Sequence, residues 1–365
     1  MSLNELSLLI AQSETRDKKD LTAKPLKQQL TLRDILFFTE SLARLLQGGV
    51  PILQALESLH AATKSKKIRL VLTRLLESLR QGAGFSEALQ NTGAVPAFFF
   101  QIVYAGEISG SLSQVLEELA RYLTKEEALK NKIGEAVAYP VFLLFMGLST
   151  LGVLLQVVIP KLARIYRDFG ADLPAITKLI LGLSHFFLPV LALFFVVVSL
   201  SIFLFFKQKQ NFMNIFYTLP VIRSFLGILT LIQFARLLSL LLQNGISIVP
   251  ALEITEKTFA ITVPKKEIGR IKNRLQQGDC FSDCIQDIFW MDSLSKMLLM
   301  SGEKAGKLAE SLDHVAKDSA TRLEAKIQIA VKLLEPGLIL TIGIVVGVIV
   351  VGTVLPIFDI SGVLQ

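Results

Sequence analysis

The chain repeats itself at a constant offset of 196 residues, with no gap. Leu45-Leu46-Gln47-Gly48-Gly49-Val50-Pro51-Ile52-Leu53-Gln54-Ala55-Leu56-Glu57 aligns with the thirteen residues from Leu241 to Glu253, and eight of those positions are identical. Gln81-Gly82-x-x-Phe85-Ser86 aligns with Gln277-Gly278-x-x-Phe281-Ser282, and Gly106-Glu107-x-x-Gly110-x-Leu112 with Gly302-Glu303-x-x-Gly306-x-Leu308. Pro140 aligns with Pro336, and Pro160 with Pro356. Several motifs held in one register are not a chance agreement, so one structural unit is present twice.

Each copy leads into a segment that water does not accommodate. Residues 141–159, 179–206 and 337–358 contain no Asp, Glu, Lys or Arg. The run 141–159 reaches about 28 Å as a helix, enough for a hydrocarbon core. A hydrophobic fraction of 52% fits the same reading. Gly343-x-x-x-Gly347 in the third run is either a close-approach motif or lipid-facing filler, and the pattern alone does not choose. Equivalent runs should cross in the same direction, which requires the middle run to return the chain. Both charged regions then lie on one side. Lys317, Arg322, Lys326 and Lys332 precede the third run and no Lys or Arg follows it, so that side is the cytoplasm. Lys161, Arg164, Arg167 and Lys178 leave the first hairpin without a bias.

The expected architecture is an all-α membrane protein with two homologous cytoplasmic helical bundles and three transmembrane helices. Its parts are a flexible N-terminal segment 1–30, bundles at 31–140 and 207–336, and spans at 141–159, 179–206 and 337–358. A periplasmic loop 160–178 and a periplasmic tail 359–365 complete it. Thr31-x-x-Asp34 predicts a capping box for a helix over Ile35–Leu46. Gly48-Gly49 predicts its stop, and Gly245 the equivalent one. Ser86 and Ser282 read as N-caps.

Little in the chain reads as chemistry. The net charge of +7 is diffuse, which argues for anionic lipid headgroups and against nucleic acid. Cys280 and Cys284 are the only cysteines, with neither a redox nor a zinc spacing, and are expected to be small buried residues. Gly302-x-x-x-Gly306-Lys307 fails as a phosphate loop, because its glycines are one residue too close and Leu308 stands where a hydroxyl must bind magnesium. His60 and His314 lack ligand partners at recognisable spacing, and His185, within the second run, reads as a polar packing group rather than a ligand. No catalytic, cofactor-binding or metal-binding residue is predicted. Glu107 and Glu303 are either functional carboxylates or caps of a tight interhelical corner, and their flanking glycines favour the corner. Glu335, at the mouth of the third run, reads as an interfacial anchor rather than a proton relay.

The Leu-Leu-x-x-Gly turns, Gly106-Glu107-Ile108-Ser109-Gly110, Gly302-Glu303-Lys304-Ala305-Gly306, Tyr139-Pro140, Glu335-Pro336 and Val158-Ile159-Pro160-Lys161 together resemble the type II secretion system F family, which includes the platform proteins of type IV pili. The likeness covers about residues 35–362. It implies a non-enzymatic, multi-pass inner-membrane protein without a cofactor. Its implied partners are a cytoplasmic assembly ATPase, pilin-like subunits, other inner-membrane components, membrane lipids and a second copy of the chain. The structural and interface candidates are Gly49, Gly106, Glu107, Gly110, Pro140, Gly245, Gly302, Glu303, Gly306, Glu335, Pro336, Gly343 and Gly347. The rival reading is a small transporter or channel component, which three uncharged spans serve poorly.

Overall fold

A computed structural model of the chain describes residues 30–161 and 220–363 except Ala260, together with Arg164, Gly182, Pro189 and Leu193. The expected N-terminal segment, most of the loop 160–178, the span 179–206 and residues 207–219 lie outside the described residues. Twelve α-helices are described, and no strand. The first copy supplies α1 (Leu32–Gln47), α2 (Ile52–Ala62), α3 (Lys66–Arg80), α4 (Phe85–Thr92), α5 (Ala97–Ser109) and α6 (Leu112–Val153). The second supplies α7 (Pro220–Gln243), α8 (Ile248–Thr258), α9 (Thr262–Gln276), α10 (Phe281–Cys284), α11 (Ser293–Lys304) and α12 (Leu308–Val363). The starts of α8 to α12 lie 196 residues after those of α2 to α6, and α7 ends 196 residues after α1.

Local chemistry sets these boundaries. Thr31 Oγ1 accepts from the Asp34 amide at 3.3 Å while the Asp34 carboxylate accepts from the Thr31 amide at 3.2 Å, which closes the expected capping box one turn earlier than the apolar periodicity began. Gly49 and Gly245 then adopt φ of 78° and 77°, and Gly110 and Gly306 adopt 69° and 68°. That left-handed conformation is strained for any residue with a Cβ, and it lets the next amide fold back on the helix end. Val50 N–H accordingly reaches Leu45 O at 3.1 Å, and Ile246 N–H reaches Leu241 O at 3.1 Å.

The chain divides into two compact units, each drawn from both copies. The first comprises Met1–Ala128 and Thr230–Ala316. One apolar core runs through it, with Phe38, Leu42, Phe99 and Leu116 from copy one beside Phe234, Leu252, Phe281 and Leu312 from copy two. The second unit comprises Leu129–Leu229 and Lys317–Gln365. There α6 and α12 run parallel and nearly in register. Lys132 bridges Glu324 at 2.6 Å, the Tyr139 hydroxyl donates to Glu335 at 2.9 Å, and Ile342 stands where a Cβ on Gly147 would point.

The apolar stretches of these two helices are uncovered among the described residues. Only 11% of the most apolar window of the α6 segment is buried, and none of that of α12. Phe142, Phe145, Leu340, Ile344 and Val348 are exposed. At about 25 cal/mol per Å² such a surface is unfavourable in water, so its solvent is lipid. A third helix is long and apolar enough to cross, Arg223–Gln243, yet 61% of its most apolar window is buried. It was not expected as a span. Within the first unit Phe234, Leu238 and Leu241 are fully buried in the shared core, as a core helix requires.

Candidate functional site

Two glutamates close the same corner in the two copies. Glu107 sits near the end of α5 and accepts from the Phe85 amide at 2.6 Å, the Ser86 amide at 3.0 Å and the Ser86 hydroxyl at 2.5 Å. Glu303 near the end of α11 accepts from the Phe281 amide at 2.6 Å and the Ser282 amide at 2.8 Å. These amides open α4 and α10, where no earlier carbonyl can take them. The carboxylate therefore caps a helix that begins 22 residues upstream. Burial pushes the Glu107 pKa up, but the Ser86 hydroxyl and the Ser86 and Phe85 amides outweigh it and hold the carboxyl below its ordinary range. The N-cap positions are Gly84 and Cys280, which corrects the expectation for Ser86 and Ser282. Both serines lie in the first turn, and their amides need the cap.

The corner also depends on close approach. A Cβ on Gly106 would lie 2.8 Å from Val115 Cγ2, and one on Gly302 would lie 2.5 Å from Ser311 Cβ. Gly106 and Gly302 thus bring the end of one helix against the start of the next, while Gly110 and Gly306 supply the left-handed reversal between them. Ser111 N–H and Lys307 N–H return to the Gly106 and Gly302 carbonyls at 2.9 and 2.7 Å.

A seam joins the copies within the first unit. Arg236 bridges Glu126 at 3.0 Å, with side chains 9% and 17% exposed, and Asn244 donates to Glu118 at 2.7 Å. Lys125 bridges Asp313 at 3.2 Å. Helix α5 packs on α8. Burial, and then the Glu126 charge, drive the nearby Tyr122 phenol far above its usual pKa, so it stays neutral. Sequence reasoning missed this seam, since its partners lie more than 100 residues apart and belong to no motif.

The other predicted residues sort differently. Pro140 and Pro336 lie inside α6 and α12 and do not end them. Glu335 meets Tyr139, its repeat equivalent, through the hydrogen bond above. Gly343 and Gly347 face open space among the described residues. The close approach in this unit belongs instead to Gly147, which occupies the position of Gly343 in the first copy. Cys284 is buried, and Cys280 is exposed, contrary to expectation, because it is the solvent-facing N-cap of α10. No cluster of three or more His, Cys, Asp or Glu side chains able to hold a metal occurs among the described residues. His60 is hydrogen-bonded to the Thr73 hydroxyl at 3.1 Å.

A family model described as type II secretion system protein F matches residues 38–160 and again 234–356, the same offset as the internal repeat. The chain is 31% identical over 348 residues to a type IV pilus assembly protein PilC of Thermus thermophilus, a match spanning 92% of this chain and 84% of that protein. It is 30% identical to a protein transport protein HofC homolog of Haemophilus influenzae, over 89% of this chain and 84% of the relative. It is 28% identical to a type II secretion system protein F of Pseudomonas aeruginosa, over 91% and 84%.

Proposed function

This chain belongs to the type II secretion system protein F family, a family of non-enzymatic membrane platform proteins, and we propose from that premise that it couples a separate cytoplasmic ATPase to the movement of pilin-like subunits out of the bilayer. The observation that carries this reading is the continuity of α6 and α12. Each is one helix that supplies core residues at its start (Leu116, Leu119 and Leu123 in α6; Leu312 and Val315 in α12) and goes on into a lipid-compatible apolar stretch. A push on such a helix at one end is felt at the other, because its backbone hydrogen bonds leave few soft degrees of freedom. A coupling part of this kind needs to bind and transmit, not to react. Purified chain should hydrolyse no ATP of its own and should co-purify with its cognate assembly ATPase. Removal of residues 1–30 should weaken that association while membrane insertion persists. Robust hydrolysis by the isolated chain, or full filament assembly in cells lacking it, would overturn the reading.

The layout that goes with it puts residues 31–140 and 207–336 in the cytoplasm, 160–178 and the C-terminus in the periplasm, and a span at 179–206. The shared core, the half-buried Arg236–Glu126 pair and the parallel course of α6 and α12 support a common side for the two copies. The lysines and arginines before residue 337 support the cytoplasmic side. Cysteines introduced at Lys66 and Lys265, in a background lacking Cys280 and Cys284, should both stay unlabelled by a membrane-impermeant thiol reagent on intact spheroplasts. Both should react after the membrane is opened, and labelling of one alone before opening would refute the layout.

A further inference from the structure

The packing of α5 on α8 joins unlike parts of the two repeats, because α8 is the second-copy counterpart of α2. The repeat-related packing would place α11 against α2, and no comparable packing of those two helices is made. Burial shows the difference position by position. Phe98 on α5 is 5% exposed, and its equivalent Leu294 on α11 is 54% exposed. Gln101 and Ala105 are half-buried, while their equivalents Met297, at 61%, and Ser301 are exposed. On the other side Ile254 of α8 is buried and Val249 half-buried, and their equivalents Ser58 and Leu53 on α2 are exposed. Tyr122 stacks edge-on against Phe98 at 5.5 Å where copy two has Asp318, which accounts for part of the first contrast. It does not account for Gln101, Ala105 or Ile254.

The chain thus makes one interface of this type internally and presents the two halves of another, unused. We propose that the α11 stripe of Leu294, Met297 and Ser301 docks the outer face of α2, carrying Leu53 and Ser58, of a second copy of this chain. The occupant follows from the interface already present. What covers an α5-type stripe is an α8-type helix, and among the described residues the α8-type helix with its face open is α2. Its own α2 does not cover α11, so the α2 of another copy does. An interface of unlike halves is heterologous, and its repetition closes a ring or extends a row of platforms. Coupling to an ATPase is not needed for this contact.

The experiment uses the full chain in membranes, with Cys280→Ser and Cys284→Ala as background. Two differently tagged versions, one with Met297→Cys and one with Leu53→Cys, are co-expressed and treated with a short bismaleimide. A crosslinked species carrying both tags is expected, and adding Met297→Glu to an otherwise unaltered chain should abolish self-association in a two-tag pull-down without changing its thermal midpoint. Three results would overturn the proposal: no two-tag species, a Met297→Cys chain crosslinking only to itself, or a Leu53→Cys/Met297→Cys double variant crosslinking only within one chain, which would mean that the two repeats close on each other.

Discussion

Glu107→Ala is expected to destabilise the solubilised chain by about 2–3 kcal/mol, and Glu303→Ala by a comparable or slightly smaller amount. The estimate comes from the groups left behind. Removal of the Glu107 carboxylate orphans the Phe85 and Ser86 amides and the Ser86 hydroxyl, at a helix start where the chain offers no other acceptor. Losing a cap costs about 0.5–2 kcal/mol, and a partly buried donor without a partner about 1–3. Glu303 serves two backbone donors, so its loss strands fewer groups. Glu107→Gln should fall between, since a neutral carbonyl still accepts but without charge assistance. A pH dependence follows with a definite sign. Because the folded-state pKa of Glu107 is depressed, its contribution is fully present above the ordinary carboxylate range and is lost as the pH falls through the depressed value. Thermal midpoints measured across acid pH should therefore converge for the native chain and Glu107→Ala at the acid end and separate toward neutrality. A variant of native stability that had lost binding to the assembly ATPase would make this carboxylate an interface group instead.

Much of the helical layout was legible because the repeat is gapless. Once Leu45 was registered on Leu241, the start of each helix in one copy implied its counterpart; the left-handed Gly49 and Gly245 stand at the expected stops, and Gly110 and Gly306 at the expected interhelical corner. What escaped was long-range. The cap on α4 is a carboxylate 22 residues further on, so Ser86, a good local cap by residue type, drew an assignment that belonged to Glu107. The equal spacing of Ser86 to Glu107 and of Ser282 to Glu303 was the available signal. Apolar composition likewise could not separate lipid from protein as a solvent. The most apolar window of Arg223–Gln243 has a mean hydropathy of 2.0, against 2.1 for that of the α12 segment, yet Phe234 and Leu238 meet protein while Leu340 and Ile344 of α12 do not. Gly343-x-x-x-Gly347 fits a packing pattern that many apolar helices satisfy by composition, and the neighbour was found by Gly147, which has no such pattern around it.

The same corner sets the second large effect, and there the two copies should differ. Gly106 and Gly302 are helical, with no left-handed φ to protect, so alanine gains about 1 kcal/mol at each in helix propensity. Gly134, also helical and open to space, shows that gain alone, and Gly134→Ala should be neutral or slightly stabilising. At Gly106 the gain is opposed by Val115, whose Cγ2 and Cβ would lie 2.8 and 2.9 Å from the new methyl. Val115 is buried and, being β-branched on a helix, has one favoured rotamer, so it cannot turn aside. At Gly302 the obstruction is Ser311 Cβ at 2.5 Å, an atom fixed to the backbone, with the Lys307 carbonyl at 3.3 Å behind it. Relief there requires the helices themselves to part. Overpacking of this kind costs about 1–3 kcal/mol for an extra methyl and more for a branched side chain. Gly302→Ala should therefore destabilise more than Gly106→Ala, and Gly302→Val should lower the amount of folded protein in the membrane before any defect in binding the ATPase is measurable. The compensating changes decide whether contact is the cause. Val115→Ala should restore part of the stability lost in Gly106→Ala, and Ser311→Gly part of that lost in Gly302→Ala. Purely additive losses in both double variants, measured by thermal unfolding in detergent, would mean that the tight approach of α5 to α6 and of α11 to α12 is not what these glycines serve.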